Sequence, residues 1–235
     1  MSTDGFALRI KNLVYTYPDG RSALNGVNIE IENGMKVALI GKNGCGKTTL
    51  LMHIVGLLDG EGEIEVNGIL RTRKNMYLIR REAGILFGQT EFHFIMPDVL
   101  NDVMLSMRES NMTIVEKKQK AVDCLTLLGI SHCAAVNPLD LSAGEMKRAS
   151  LAGVLAGNPS LLLMDEPLNN LDREGIESLL EILKGLQHSM LVSTHRKYII
   201  EKLATHCAVM DNGRITEFIP RKKFHGNRLI NSLVC

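Results

Sequence analysis

The run Gly41-Lys42-Asn43-Gly44-Cys45-Gly46-Lys47-Thr48 constrains this chain more than any other part of it. It has the form G-x-x-x-x-G-K-[ST]. It lies between a short apolar run, Lys36–Ile40, and a segment of helical character over roughly Lys47–Leu57. Glycines let such a loop turn its backbone N–H groups inward around phosphate oxygens. The helix that follows adds the positive end of its dipole. Lys47 then supplies a point charge for the β and γ phosphates, and the Thr48 hydroxyl a ligand for Mg²⁺. A loop of this kind needs a buried strand before it and a helix after it, so the chain is expected to be α/β. Cys45 sits beside Lys47 at a helix N-terminus, a setting that lowers a thiol pKa, so a reactive thiol is expected there.

The rest of the chain agrees with an α/β reading. Strands are predicted at Ala7–Tyr15, Val27–Ile31, Glu63–Val66 and Ile85–Phe87. From about Pro97 to Gly157 no strand is predicted. Pro97 is expected to open a helix, and Thr113–Leu128 carries Val115, Ala121, Val122, Leu125 and Leu128 at helical spacing, with Gly129 ending it. Leu151–Ala156 reads as helix, and alternation then resumes. Ser160–Met164 is a buried strand, Glu174–Leu186 a helix, Met190–Ser193 a strand and Lys197–Leu203 a helix. Ala208–Met210 and Arg214–Phe218 form a closing hairpin about Asn212-Gly213. Alternating β and α elements imply a mostly parallel sheet flanked by helices.

Composition removes several classes. Among 235 residues, 27 Lys plus Arg balance 26 Asp plus Glu, for a net charge of +1. That argues against a strongly basic nucleic-acid binder and against an acidic disordered chain. The short run Arg221-Lys222-Lys223 reads as a solvated end. Cys45, Cys124, Cys133, Cys207 and Cys235 include no C-x-x-C pair, so a reducing, cytoplasmic setting fits best and zinc is not signalled. No secretory signal is visible at Met1–Ile10. No apolar run approaches the ~20 residues that a membrane span needs. If the protein works at a membrane, another chain provides the spans.

A second cluster of chemistry follows the helical middle. Leu161-Leu162-Leu163-Met164 is a hydrophobic strand that ends in Asp165-Glu166. Ligands of open α/β sheets bind beyond the carboxyl ends of the strands. Asp165 can therefore reach the Mg²⁺ shell, and Glu166 can face an attacking water as general base. Ser142-Ala143-Gly144-Glu145 has the S-x-x-E spacing of a helix capping box. His195 follows Met190–Ser193, and the strands ending at Asp165 and Ser193 are expected to be neighbours.

Taken together and in this order, these pieces resemble the ATP-binding cassette (ABC) ATPases over about residues 6–219. The matching parts are the phosphate loop at 41–48, a signature at Leu141–Glu145, the carboxylate-ended strand with Glu166, the loop Asn170-Leu171-Asp172, and His195. Tyr15-Thr16-Tyr17-Pro18-Asp19-Gly20, Gly56-Leu57-Leu58, Leu86-Phe87 and Ala152-Gly153-Val154-Leu155-Ala156 are similar to cobalt/nickel and energy-coupling-factor importers. The resemblance implies a P-loop NTPase core with a mostly parallel sheet, an N-terminal antiparallel β part and an inserted helical subdomain. It places the core at about 1–89 and 158–219, the helical part at 90–157 and a basic tail at 220–235.

It further implies an ATPase that closes head to tail with a second cassette, a copy of itself or a paralogue, and drives transmembrane importer subunits without contacting nucleic acid. Those subunits would dock on the helical part and on the loop after Phe87. Tyr17 would stack on adenine. Residues Gly41 to Thr49 (Gly41, Lys42, Asn43, Gly44, Cys45, Gly46, Lys47, Thr48, Thr49) would hold the phosphates, and Thr48, Gln89 and Asp165 would hold Mg²⁺. Glu166 and His195 would act at the γ-phosphate, and Ser142, Ala143, Gly144, Glu145 and Asp172 would complete the partner's site. This chain departs from the family at Ala143 and Glu145, where Gly and Gln are usual, and at Leu168-Asn169-Asn170, which lacks the usual small residues. Gly88 stands where the family's magnesium-side Gln is expected, so Gln89 is assigned that role. The same departures leave open a cassette that binds ATP with little hydrolysis. A chromosome-structure ATPase would need a long coiled coil, and no sustained heptads separate Thr48 from Leu141.

Overall fold

A computed structural model of the chain describes residues 5–88 and 94–226. In chain order the strands and α-helices are β1 (Phe6–Thr16), β2 (Ser22–Glu32), β3 (Lys36–Ile40), α1 (Lys47–Ile54), β4 (Glu61–Val66), β5 (Ile69–Leu70), α2 (Met76–Glu82), β6 (Ala83–Leu86), α3 (Val99–Leu105), α4 (Ile114–Leu127), α5 (Ala143–Ala156), β7 (Leu161–Asp165), α6 (Arg173–Gly185), β8 (Ser189–Ser193), α7 (Lys197–Lys202), β9 (His206–Asp211) and β10 (Arg214–Pro220). The strands form two sheets. One has the order β2-β1-β4-β5 and is antiparallel. The other has the order β10-β9-β3-β8-β7-β6. Within the second sheet β9, β3, β8 and β7 run parallel, and β10 turns back antiparallel on β9.

The chain divides into two compact units. The first comprises residues 1–85, 160–166 and 187–235, and the second 86–159 and 167–186. In the first unit β3 shows why an all-apolar run makes a central strand. Val37 and Leu39 belong to one core cluster, with Leu50, Leu51 and Ile54 of α1 and with Leu8, Ile10 and Ile64 of the antiparallel sheet. Ala38 and Ile40 belong to a second cluster, with Ile200, Ala204 and Cys207. Both faces of the strand are thus buried, the usual state of a parallel sheet flanked by helices. The closing hairpin turns at Asn212 (φ 45°) and Gly213 (φ 73°). Positive φ at both positions is what a two-residue hairpin turn demands.

The second unit contains α3, α4, α5 and α6, and α3 and α4 both pack on α5. Four local expectations change, in this unit and the first. Pro97 does not open α3; Asp98 is its N-cap, and its carboxylate accepts from the Asn101 N–H at 2.9 Å. Val115 is not on the buried face of α4. It is 73% exposed, while Ala121 and Leu125 are fully covered. The strand expected at Ile85–Phe87 runs from Ala83 to Leu86, and a short helix precedes it. The helix expected to reach Leu57 ends at Ile54.

Candidate nucleotide-hydrolysis site

β3, β7 and β8 lie side by side and parallel, so the loops that leave their carboxyl ends converge. Leu39 and Asp165 both pair in register with Ser193. The loop 41–48 leaves the first of these ends. It is tightly seated: a Cβ on Gly41 would meet the Met210 carbonyl oxygen at 2.2 Å, and one on Gly46 (φ 111°) the Ala23 carbonyl oxygen at 2.5 Å. Glycine at both positions is therefore a packing requirement. Around Gly44 (φ 80°) the space is open. A loop pinned at its base and open at its tip is suited to wrapping an anion. The Lys47 ammonium lies beneath it and donates to the carbonyls of Gly41 (2.7 Å) and Lys42 (3.0 Å). Lys42, Asn43 and Gly44 are exposed on the same loop.

Cys45 corrects an expectation. It is buried, with its sulfur 4.0 Å from the Lys47 Nζ. Burial pushes its thiol pKa up, and this outweighs the Lys47 charge that pulls it down. Burial beneath the loop thus opposes the activation expected from sequence position.

The hydroxyl of Thr48 donates to Asp165 Oδ2 at 2.7 Å, and the Ser193 hydroxyl donates to Asp165 Oδ1. Two of the three assigned magnesium ligands are thus already adjacent. Gln89, the third, lies outside the described residues. Thr49 Oγ1 is 2.9 Å from the Tyr17 hydroxyl. The Tyr17 ring meets Tyr15 edge-on, and the Arg21 guanidinium lies over it at 4.8 Å.

Glu166 is the most unusual residue of the site. Its φ is 45°, a left-handed conformation that costs a non-glycine residue about 1–2 kcal/mol. Its N–H donates to the Ser193 carbonyl at 3.0 Å. Its Oε1 accepts from His195 Nδ1 at 2.7 Å, while Oε2 is buried without a hydrogen-bond partner. An unpartnered buried oxygen costs a further ~1–3 kcal/mol. Strain and an unmet acceptor on one carboxylate are features that folds retain where the group has chemistry to do.

In the second unit, Ser142 is the N-cap of α5. Its N–H and hydroxyl donate to Glu145 Oε2 at 2.9 and 2.6 Å, and its oxygen accepts from the Glu145 N–H at 3.4 Å. The capping box read from S-x-x-E is therefore formed, with Ala143 exposed in the first turn and Gly144 half-buried. The Ser142 hydroxyl, and then its backbone N–H, hold the Glu145 carboxyl down to about 2. Asp172 caps α6 by accepting from the Gly175 N–H at 2.8 Å. Sequence reasoning missed Lys147. It is 2% exposed on α5, and its ammonium donates to the Gly88 carbonyl at 2.6 Å, immediately before Gln89. Only its place on the inward side of the helix could have signalled it.

This geometry can be set against known proteins. Residues 24–169 match the family described as ABC transporter. The chain belongs to the ABC transporter family. This cassette is 33% identical over 214 residues to an energy-coupling factor transporter ATP-binding protein EcfA of Methanosphaera stadtmanae, a match that covers 88% of this chain and 77% of the relative. Among solved structures it is similar to cbiO1 of Clostridium perfringens, part of the ABC transporter complex cbiONQ. That likeness has a TM-score of 0.83 at 28% identity and covers 96% of this chain and 92% of the other. It is also similar to an ATP-binding cassette solved as a dimer in a post-hydrolysis state with ADP and Pi, with a TM-score of 0.81 at 27% identity, covering 91% of this chain and 98% of that one. The fold is that of an ABC ATPase: a mostly parallel sheet, an antiparallel β part and a set of helices.

Proposed function

We propose that this cassette is the ATP-hydrolysing subunit of a membrane importer of the energy-coupling-factor or cobalt type, working at the cytoplasmic face of the membrane. The observation that carries the hydrolytic part is the Glu166 carboxylate. One oxygen is held by His195 and the other has no hydrogen-bond partner, and the pair Thr48–Asp165 joins the start of α1 to the end of β7, one residue before Glu166. That arrangement favours hydrolysis over an ATP-binding regulatory module. The two compact units act as one cassette.

In this reading the N–H groups of 41–48 and the Lys47 ammonium cradle the β and γ phosphates of ATP, and Tyr17 stacks on the base. Thr48, Asp165 and Gln89 hold Mg²⁺, which supplies positive charge to the phosphate oxygens when bound. Glu166 accepts the proton of the attacking water. His195 orients Glu166 and reaches the γ-phosphate. Ser142, Gly144 and the start of α5 meet the γ-phosphate bound by a second cassette, with Asp172 nearby. No helix among the described residues is long and apolar enough to cross a membrane, so the spans belong to partner chains. The helical unit leaves Ile95, Ile114, Val115 and Leu139 more than two-thirds exposed (78, 71, 73 and 77%).

The experiment is affinity purification from detergent-solubilised membranes of the source cell. Stoichiometric recovery of multi-span membrane proteins, with ATP hydrolysis that Lys47→Ala abolishes, supports the proposal. Recovery without any membrane protein would overturn the transport part.

A further inference from the structure

Three metal-ligating side chains meet beside the signature. His132 and Cys133 lie on a 3-10 turn, Ser131–Cys133, and Glu145 on the first turn of α5. One ligand atom from each lies within 4.8 Å of the other two. His132 Nε2 is 3.3 Å from Glu145 Oε1, and Cys133 Sγ is 3.5 Å from the same oxygen. Zinc–ligand bonds of about 2.0–2.2 Å to N and O and about 2.3 Å to S, at tetrahedral angles, give N···O and S···O edges of about 3.4 and 3.6 Å. Two edges of a zinc tetrahedron are therefore already at length. The third, from His132 to Cys133, lies within 4.8 Å, and the His132 side chain is 68% exposed and so has room to adjust.

We propose that His132, Cys133 and Glu145 form a Zn²⁺ site, with water as the fourth ligand. The donor set decides the metal. A thiolate, an imidazole and one carboxylate oxygen suit a borderline-soft cation, whereas Mg²⁺ and Ca²⁺ prefer all-oxygen shells. The division of labour on Glu145 makes binding compatible with the fold. Oε2 holds the cap through Ser142, and Oε1 faces the cluster, so a metal on Oε1 leaves the start of α5 intact. Binding forms a Zn–S bond and releases the Cys133 thiol proton to solvent. Loss of that proton takes the trio from −1 to −2, and the two positive charges of Zn²⁺ then bring the filled site to neutral. The Glu145 charge that departs from the family pattern is thereby cancelled at the signature. The inference goes beyond the proposed transport role and does not depend on it.

The test uses the full chain, tag removed, reduced and free of nucleotide, titrated with Zn²⁺ by calorimetry and with Co²⁺ by absorption. One equivalent should bind. Co²⁺ should give a near-ultraviolet thiolate charge-transfer band that Zn²⁺ removes and excess Mg²⁺ does not. His132→Ala and Cys133→Ser should each weaken binding at least about tenfold, the lower end of what losing even a supporting partner costs. Cys133→Ser should also lose the band, while His132→Ala should keep the zinc-free ATPase rate and melting temperature. Absence of binding by the parent chain would overturn the proposal and reduce the cluster to an ion pair. So would unchanged affinity in His132→Ala, whose exposed position makes it the deciding variant if Cys133→Ser folds poorly.

Discussion

At the residue scale, Glu166 sets what the site can do and what it costs. A left-handed φ and an unpartnered buried oxygen on one residue both oppose folding. Asparagine adopts that backbone region far more readily than glutamate and is shorter. Glu166→Asn should therefore raise stability by ~1 kcal/mol, a Tm rise of about 2–4 °C for a chain of this size, while ATP turnover is lost. Differential scanning calorimetry beside a phosphate-release assay reads both. A Tm drop of that size would show that the His195 contact outweighs the strain. The identity of Glu166 was legible from the strand that ends in Asp165-Glu166. Its strain was not, because a backbone angle set by the Ser193 carbonyl leaves no mark on residue order. Cys45 failed in the opposite way: its neighbours in sequence suggested activation, and burial decided otherwise.

At the element scale, two helices begin with the same device. Thr113 and Glu116 form a capping box on α4, and Ser142 and Glu145 form one on α5. Replacing either cap by alanine should cost about 0.5–2 kcal/mol. Only Ser142→Ala should also lower hydrolysis at saturating ATP, since Ser142 alone is assigned a phosphate. Equal turnover in Ser142→Ala and Thr113→Ala, measured at matched folded fractions, would remove Ser142 from the chemistry. Both boxes could be read from the S/T-x-x-E spacing. The helix α2 could not. It buries only Ile79 and its N-cap Asn75 makes no side-chain cap bond, so neither periodicity nor a start signal marks it. Val115 misled for a related reason, since helical spacing fixes which residues share a face but not how much of that face the neighbours cover. The grouping of His132 and Cys133 with Glu145 also escaped sequence reasoning. It depends on a 3-10 turn folding back on α5, and their spacing matches no metal motif.

At the scale of the whole molecule, the parallel order β9-β3-β8-β7 turns residues scattered from 41 to 195 into one constellation, and that order follows from short apolar strands alternating with helices. The signature at 142–145 belongs to the other compact unit, and in the proposed mechanism it meets ATP held by a second cassette. ATP then favours the paired state because two composite sites bind it more tightly than each phosphate loop alone. Glu166→Gln tests this account most directly. The amide keeps size and hydrogen bonding but cannot accept the water's proton. Phosphate release and oligomeric state should be measured together, with and without MgATP. The account predicts a turnover loss of about 10²–10⁴-fold with ATP binding retained, and a dimer that accumulates only with MgATP. Phosphate release at the parent rate by Glu166→Gln would contradict it.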